Sequence, residues 1–223
     1  MRRLVVALAL ILSSTGCATH QAYLSPQFSS ATAAHRQVAI LPFDVSISRE
    51  RLPRNLTAED LDRAEREEGY AVQSKLYTQL LRHSGQYTVA FQDVSETNVL
   101  LQRAGLTYDS LDSRTKQEIA KLLNVDAVIS GRIQRSKPTA VGTALLMGAL
   151  LGPAFMGNTN SVGVNLQLHD GGEGAVLWTF AHRFGGSIGS SPEGLAEAMM
   201  GSIARRFPYR RTVTSGTTGP SVR

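Results

Sequence analysis

The sequence has little of what most active sites are built from. Its 223 residues hold one cysteine, Cys17, so no intramolecular disulfide can form and no thiolate metal cluster is available. The five histidines, at 20, 35, 83, 169 and 182, have no metal-ligand spacing, so neither a metal nor any other cofactor is expected. His169 and His182 are positioned to face each other across a hairpin, or to be ordinary polar-face residues of a strand. No glycine-rich phosphate loop follows a strand, since GRIQRSKP lacks both the glycines and the GK[ST] ending. There is no apolar run of the roughly 20 residues that a spanning helix needs. The 23 Lys and Arg are scattered among 18 Asp and Glu, which leaves no footprint for nucleic acid.

What the chain does have begins at its amino terminus, MRRLVVALALILSSTGCATH. Arg2 and Arg3 precede an apolar stretch of residues 4–12, and small residues 13–16 lead to Cys17. This charged, apolar, small order is that of an export signal over residues 1–16. A lone cysteine in an exported chain needs a reason other than pairing. Ser14-Thr15-Gly16-Cys17 resembles the lipobox of bacterial lipoproteins, with Ser14 where leucine is usual. That resemblance implies cleavage before Cys17 and its acylation, with several chains giving a stable membrane anchor where a single one would bind only marginally. Ala18, in place of an aspartate, points by the same resemblance to the periplasmic side of the outer membrane. Residues 17–36 then read as a polar tether, and residues 210–223 as a disordered tail.

Between them, residues 37–209 read as one α/β domain. VAILPFDV (38–45) suits a strand buried on both faces, ending near Pro42, which has no amide to donate. Thr57 caps a long helix with a possible break at Gly69, its inward face formed by Tyr70, Leu76, Tyr77, Leu80 and Leu81. A short strand at 87–91 follows. A helix capped by Ser95 buries Val99, Leu100 and Leu101, and another, opened by Asp109 or Ser110, buries Leu111, Ile119, Leu122 and Leu123. VDAVISGRIQR is a second long strand, and residues 162–169 alternate cleanly as a half-buried one. Asp170-Gly171-Gly172-Glu173-Gly174 turns the chain into AVLWTFAHRF. A last helix runs over 193–206, with Leu195, Met199, Ile203 and Phe207 inward. The expected fold class is α/β: a mixed sheet of about five strands flanked by helices, with a late antiparallel hairpin.

VAILPFDV after an exported amino terminus, then LNVDAVISGRI, then an alternating strand, a glycine turn and VLWTF, resembles the lipoproteins with a TolB amino-terminal-like or CsgG-like α/β domain, over residues 38–207. The resemblance implies a non-enzymatic envelope protein acting through assembly, with copies of itself and other envelope proteins as partners. A CsgG-like secretion or pore subunit is the alternative it carries.

Residues 139–158 read TAVGTALLMGALLGPAFMGN, with no charged residue between Lys137 and Asp170. Gly148 and Gly152 stand at GxxxG spacing, whereas Pro153 and a length of about fifteen apolar residues argue against a bilayer span. A partner-covered hairpin, a membrane-dipping loop and a core-packing loop all fit. The first two make Leu145, Leu146, Met147, Leu150, Leu151, Phe155 and Met156 an interaction or membrane surface.

One catalytic pattern occurs. Gly185-Gly186-Ser187-Ile188-Gly189 fits GxSxG between a strand and a helix, yet no His or Asp follows Ser187, only Glu193 and Glu197. A serine hydrolase using Ser187 therefore ranks below a glycine-serine connection. Asp44, at the end of its strand, reads as a turn former.

Overall fold

A computed structural model describes residues 20–47, 49, 57–136, 161–185 and 192–211. The elements are β1 (His20–Leu24), α1 (Phe28–Ala31), β2 (Gln37–Ile40), β3 (Asp44–Ile47), α2 (Ala58–Arg82), β4 (Ala90–Phe91), α3 (Val94–Arg103), α4 (Lys116–Leu123), β5 (Ala127–Ser136), β6 (Ser161–Asp170), β7 (Val176–Gly185) and α5 (Pro192–Arg206). They form an α/β fold with one mixed sheet in the order β1-β7-β6-β5-β2-β4, and β3 pairs with β5 beyond the end of β2. β2 lies parallel to β4 and β5, β3 parallel to β5, and β5, β6, β7 and β1 form an antiparallel meander.

Among the described residues the sheet has seven strands where the sequence suggested about five. One addition comes from VAILPFDV, which is two strands. Ile40 pairs with Ile129 and Asp44 with Arg132, so three residues on one side oppose two on the other. Pro42 cannot donate to the ladder, and the extra residue bulges out there while Phe43 turns into the core, fully buried. The other addition is β1, in the segment expected to be a tether. His20–Leu24 pairs along its whole length with β7, Phe28 is buried, and the folded unit therefore starts at least at residue 20. At the other terminus Arg210 bridges to Tyr87, and the Arg211 amide donates to the Gln86 carbonyl at 2.7 Å, so these two residues belong to the fold and not to the tail.

Helix starts are fixed by caps. Thr57 and Asp60 form a capping box at α2, which runs unbroken through Gly69. α3 is capped by Asp93, not Ser95, because its carboxylate accepts the Ser95 and Glu96 amides. The third helix opens later than expected: Tyr108–Ser113 is a 3₁₀ turn, and Thr115 with Glu118 forms the capping box of α4. The inward face of α2 is Leu61, Val72, Leu76 and Leu80, while Tyr70 and Leu81 point to solvent. Val99 and Leu122 are likewise exposed.

The core lies on both sides of the sheet. The larger part packs β2, β5, β6 and β7 against α2 and α5, with Phe207 at its centre. The Phe207 ring meets Tyr87 and Trp178 edge-on at 5.6 and 5.8 Å, the favourable arrangement for aromatic quadrupoles. The smaller part packs Ala39, Leu41 and Val128 against Leu101, Ile119 and Leu123 of α3 and α4.

Candidate functional site

α3 and α4 cover only the β2 end of the second sheet face. Beyond Val128, the alternation of β5 presents Ser130, Arg132 and Gln134 on that face, and the register sets Gln167, Asn165 and Gly163 of β6 beside them. Thr179, Ala181 and Arg183 of β7 follow, then Gln21 of β1. Among the described residues nothing covers this polar sheet surface. It carries two hollows of about 450 and 490 Å³, both bordered by Arg132 and Asn165. The first lies between the sheet, β3 and the 3₁₀ turn, with Asp44, Tyr108, Asp112 and Lys116 on its wall.

Arg132 is the hinge of the charges here. Its Nε donates to Asp44 Oδ2 at 2.5 Å, and its Nη2 lies 3.8 Å from Asp112 Oδ2. Asp112 in turn accepts from Lys116 Nζ at 2.9 Å. The bond to Asp44 raises the guanidinium's proton affinity, and the bond from Lys116 holds Asp112 below the usual carboxylate range. Asp44 is thus one half of an ion pair at the strand start, not a turn former. On the wall, the Tyr108 hydroxyl accepts the Val45 amide at 2.8 Å, and burial pushes its pKa up to about 12. His169 lies 3.1 Å from Ser130 Oγ, and burial, followed by the charge of Lys116, lowers its basicity.

These groups offer hydrogen-bond donors, acceptors and balanced charge. Among the described residues no three His, Cys, Asp or Glu side chains are grouped to hold a metal ion. His169 and His182 do not face each other: His169 pairs with Val176 and His182 with Val164. His182 instead stacks on Phe180 at 6.0 Å.

A second constellation is buried. His35 Nε2 lies 3.0 Å from Asp170 Oδ1, and His35 Nδ1 lies 2.5 Å from the Tyr209 hydroxyl. A carboxylate only accepts, so Nε2 carries the proton it donates to Asp170, and in the neutral imidazole Nδ1 accepts from Tyr209. The three residues come from the segment before β2, the end of β6 and the chain after α5. They hold the ends of the folded unit to the hairpin. No sequence signal brings them together, because 135 and 174 residues separate the partners.

Cys17 and the apolar set Leu145, Leu146, Met147, Leu150, Leu151, Phe155 and Met156 lie outside the described residues, as does Ser187, along with the side chains of Leu195, Glu193 and Glu197. Their described neighbours in the chain are His20, which opens β1, Ser136 and Ser161, which pair with each other, and Gly185, which pairs with Ser161. Among the described residues no helix is long and apolar enough to cross a membrane.

No family model matches the sequence, and no curated protein matches it. Several solved structures are similar to it. A PelC dodecamer from Paraburkholderia phytofirmans is 17% identical, with 87% of this chain and 99% of that one covered at a TM-score of 0.47. The lipoprotein GNA1162 from Neisseria meningitidis is 10% identical, covering 76% and 94% at 0.44. The LpoB C-terminal domain from Escherichia coli is 16% identical, covering 72% and 94% at 0.37.

Proposed function

We propose that this chain is a non-enzymatic envelope lipoprotein, anchored through acyl chains on Cys17 at the periplasmic side of the outer membrane, whose α/β domain works by contact with copies of itself and other envelope proteins. The observation that carries the reading is that β1 begins at His20. Only Ala18 and Thr19 separate Cys17 from a strand bonded into the sheet, so acylation would hold the domain at the membrane surface instead of letting it swing on a long tether. A domain held so close presents the same surfaces to every neighbour on that membrane, and confinement raises the effective concentration at which weak contacts form. The open polar face across β5, β6 and β7 suits such contacts, since it offers amides, hydroxyls and paired charges. The apolar residues 145–156 supply the greasy part of the surface.

Metabolic labelling with a palmitate analogue tests the anchor. The native chain is expected to take up label and sediment with membranes, and Cys17→Ala to do neither. Label persisting on Cys17→Ala would remove the assignment. Deleting residues 144–155 is expected to leave the label in place while reducing oligomeric size in detergent extract, or membrane association. Ser187→Ala is expected to change nothing, whereas a hydrolase would lose its activity.

A further inference from the structure

The register gives the sheet two unlike ends. At one, Ala127 pairs with Asp170 and the β6–β7 turn closes the hairpin; at the other, Ser136 pairs with Ser161 and Ser161 with Gly185. His20 pairs with His182, His182 with Val164, and Val164 with Ile133. His20 therefore stands three residues from the second end and six from the first, about 10 Å and about 20 Å at the rise of a strand. Cys17 precedes His20 by three residues, a chain reach of at most about 10 Å. That reach covers the near end and falls far short of the turn.

We propose that the near end of the sheet, made by the last residues of β5 and β7 and the first of β6, rests on a bilayer surface bearing anionic lipids. The proposal rests on the acylation of Cys17 and adds the orientation. β3 also stops at this end, where Ile47 pairs with Arg135, so the chain leaves the sheet here before β1, after β3, between β5 and β6, and after β7. Both roots of the apolar residues 139–158 thus lie at the end that the anchor can bring to the membrane, within three strand spacings, about 15 Å, of β1.

Charge agrees with this placement. The last three rows of the β5–β6–β7 ladder are Gln134–Gly163–Arg183, Arg135–Val162–Phe184 and Ser136–Ser161–Gly185, with two arginines and no acid. The opposite end carries Asp126 and Glu173, with Asp170 buried against His35 and the backbone of Arg36 bonded to Asp126. The start of α2 brings carboxylates toward the membrane end, and arginines sit against them: Asp60 pairs with Arg63, and Arg49 lies 2.7 Å from Asp62 and 3.7 Å from Glu65. The face covered by α2 and α5 cannot be the one that lies down, since a helix layer is about 10 Å thick and would use up the whole reach of Cys17.

Because Cys17 is the only cysteine and its sulfur is acylated in the mature chain, one introduced cysteine carries a thiol-reactive fluorophore alone. Full-length lipidated protein bearing Gln134→Cys, Leu24→Cys, Gln167→Cys or Glu173→Cys is reconstituted in phosphatidylethanolamine–phosphatidylglycerol vesicles containing a headgroup-attached quencher. The expected result is quenching at position 134 several-fold above that at 24, 167 and 173. Stronger quenching at 24 means that the β1 edge lies down, at 167 that the open face does, and at 173 that the molecule is inverted; each overturns the proposal, as does equal quenching at all four. Protein that carries no acyl label and does not join the vesicles removes the anchor itself, a failure distinct from a wrong orientation.

Discussion

The Phe43 ring lies against Gly131 on the core face of β5, in the space that a β-carbon at 131 would occupy. Phe43 comes from the bulge between β2 and β3, and its amide donates to the Gly69 carbonyl of α2 at 3.2 Å. Gly69 is close-packed in the same way, facing the Phe43 carbonyl and the Tyr108 ring. Two glycines, one on the sheet and one on the helix, therefore let the bulge sit between them. Gly131→Ala is expected to cost about 1–3 kcal/mol by overpacking, measured as a lower urea midpoint with an unchanged slope. Gly163→Ala on the open face, where no atom of the described residues lies within 4 Å, is expected to stay within about 0.5 kcal/mol of the native chain.

Tyr209→Phe is expected to destabilise the fold by about 1–3 kcal/mol, because His35 Nδ1 loses the hydroxyl that donates to it in a buried site. Its ring contacts with Phe28 and Phe207 remain, at 5.3 and 5.5 Å, so packing is not the cause. Burial and the nearby carboxylates Asp170 and Asp126 push the Tyr209 hydroxyl far above its ordinary pKa, which keeps it a donor. Tyr23→Phe on exposed β1 is the matching control and should be neutral in the same denaturation assay.

Stability is expected to fall as pH drops below about 6.5. Burial first, and then the charge of Lys116, holds the His169 imidazole below its ordinary pKa of 6.5. Between the folded and unfolded values the unfolded chain binds a proton that the folded one refuses, so stability rises with pH across that window and is level above it. His169→Gln should flatten this part of the profile. The carboxylates held low by helix-start amides, Asp60, Asp93 and Glu118, act in a separate, more acidic window, below their ordinary values. Thermal melts at closely spaced pH values separate the two.

The Asp44–Arg132 pair is about half exposed on both sides, at 45% and 57%. Asp44→Ala is therefore expected to cost no more than about 1 kcal/mol, and the difference from the native chain should shrink at high salt. A larger, salt-independent loss would show that the pair holds β3 in place.

Helix ends were legible where a cap stands beside its helix, as Thr57 does with Asp60. The Thr115-x-x-Glu118 box carries the same signal; the apolar stripe of Leu111 and Ile119 drew the expected start back to Asp109 or Ser110, across what is a 3₁₀ turn. The inward row of α2 was misplaced at Tyr70 and Leu81, because small Gly69 and the hydrogen-bonding Gln73, whose amide donates to the Ile40 carbonyl at 2.7 Å, take the places against the sheet. The polar open face was half visible: Asn165, Gln167 and His169 alternate with apolar neighbours, and only pairing shows that Arg132 and Arg183 share their side.

By itself the sequence determined the class of the fold, the long strands, the hairpin and the capped helices, since each rests on periodicity or contacts a few residues apart. The tertiary structure alone decided that HQAYL is a strand, that His35, Asp170 and Tyr209 meet, and that β1 opens nearer the end of the sheet at which β3, β5 and β7 stop. A five-residue strand without alternation has no local preference strong enough to declare it, and takes its conformation from the partner whose backbone groups it satisfies. Contacts between residues more than a hundred positions apart exist only once the strands between them have found their register.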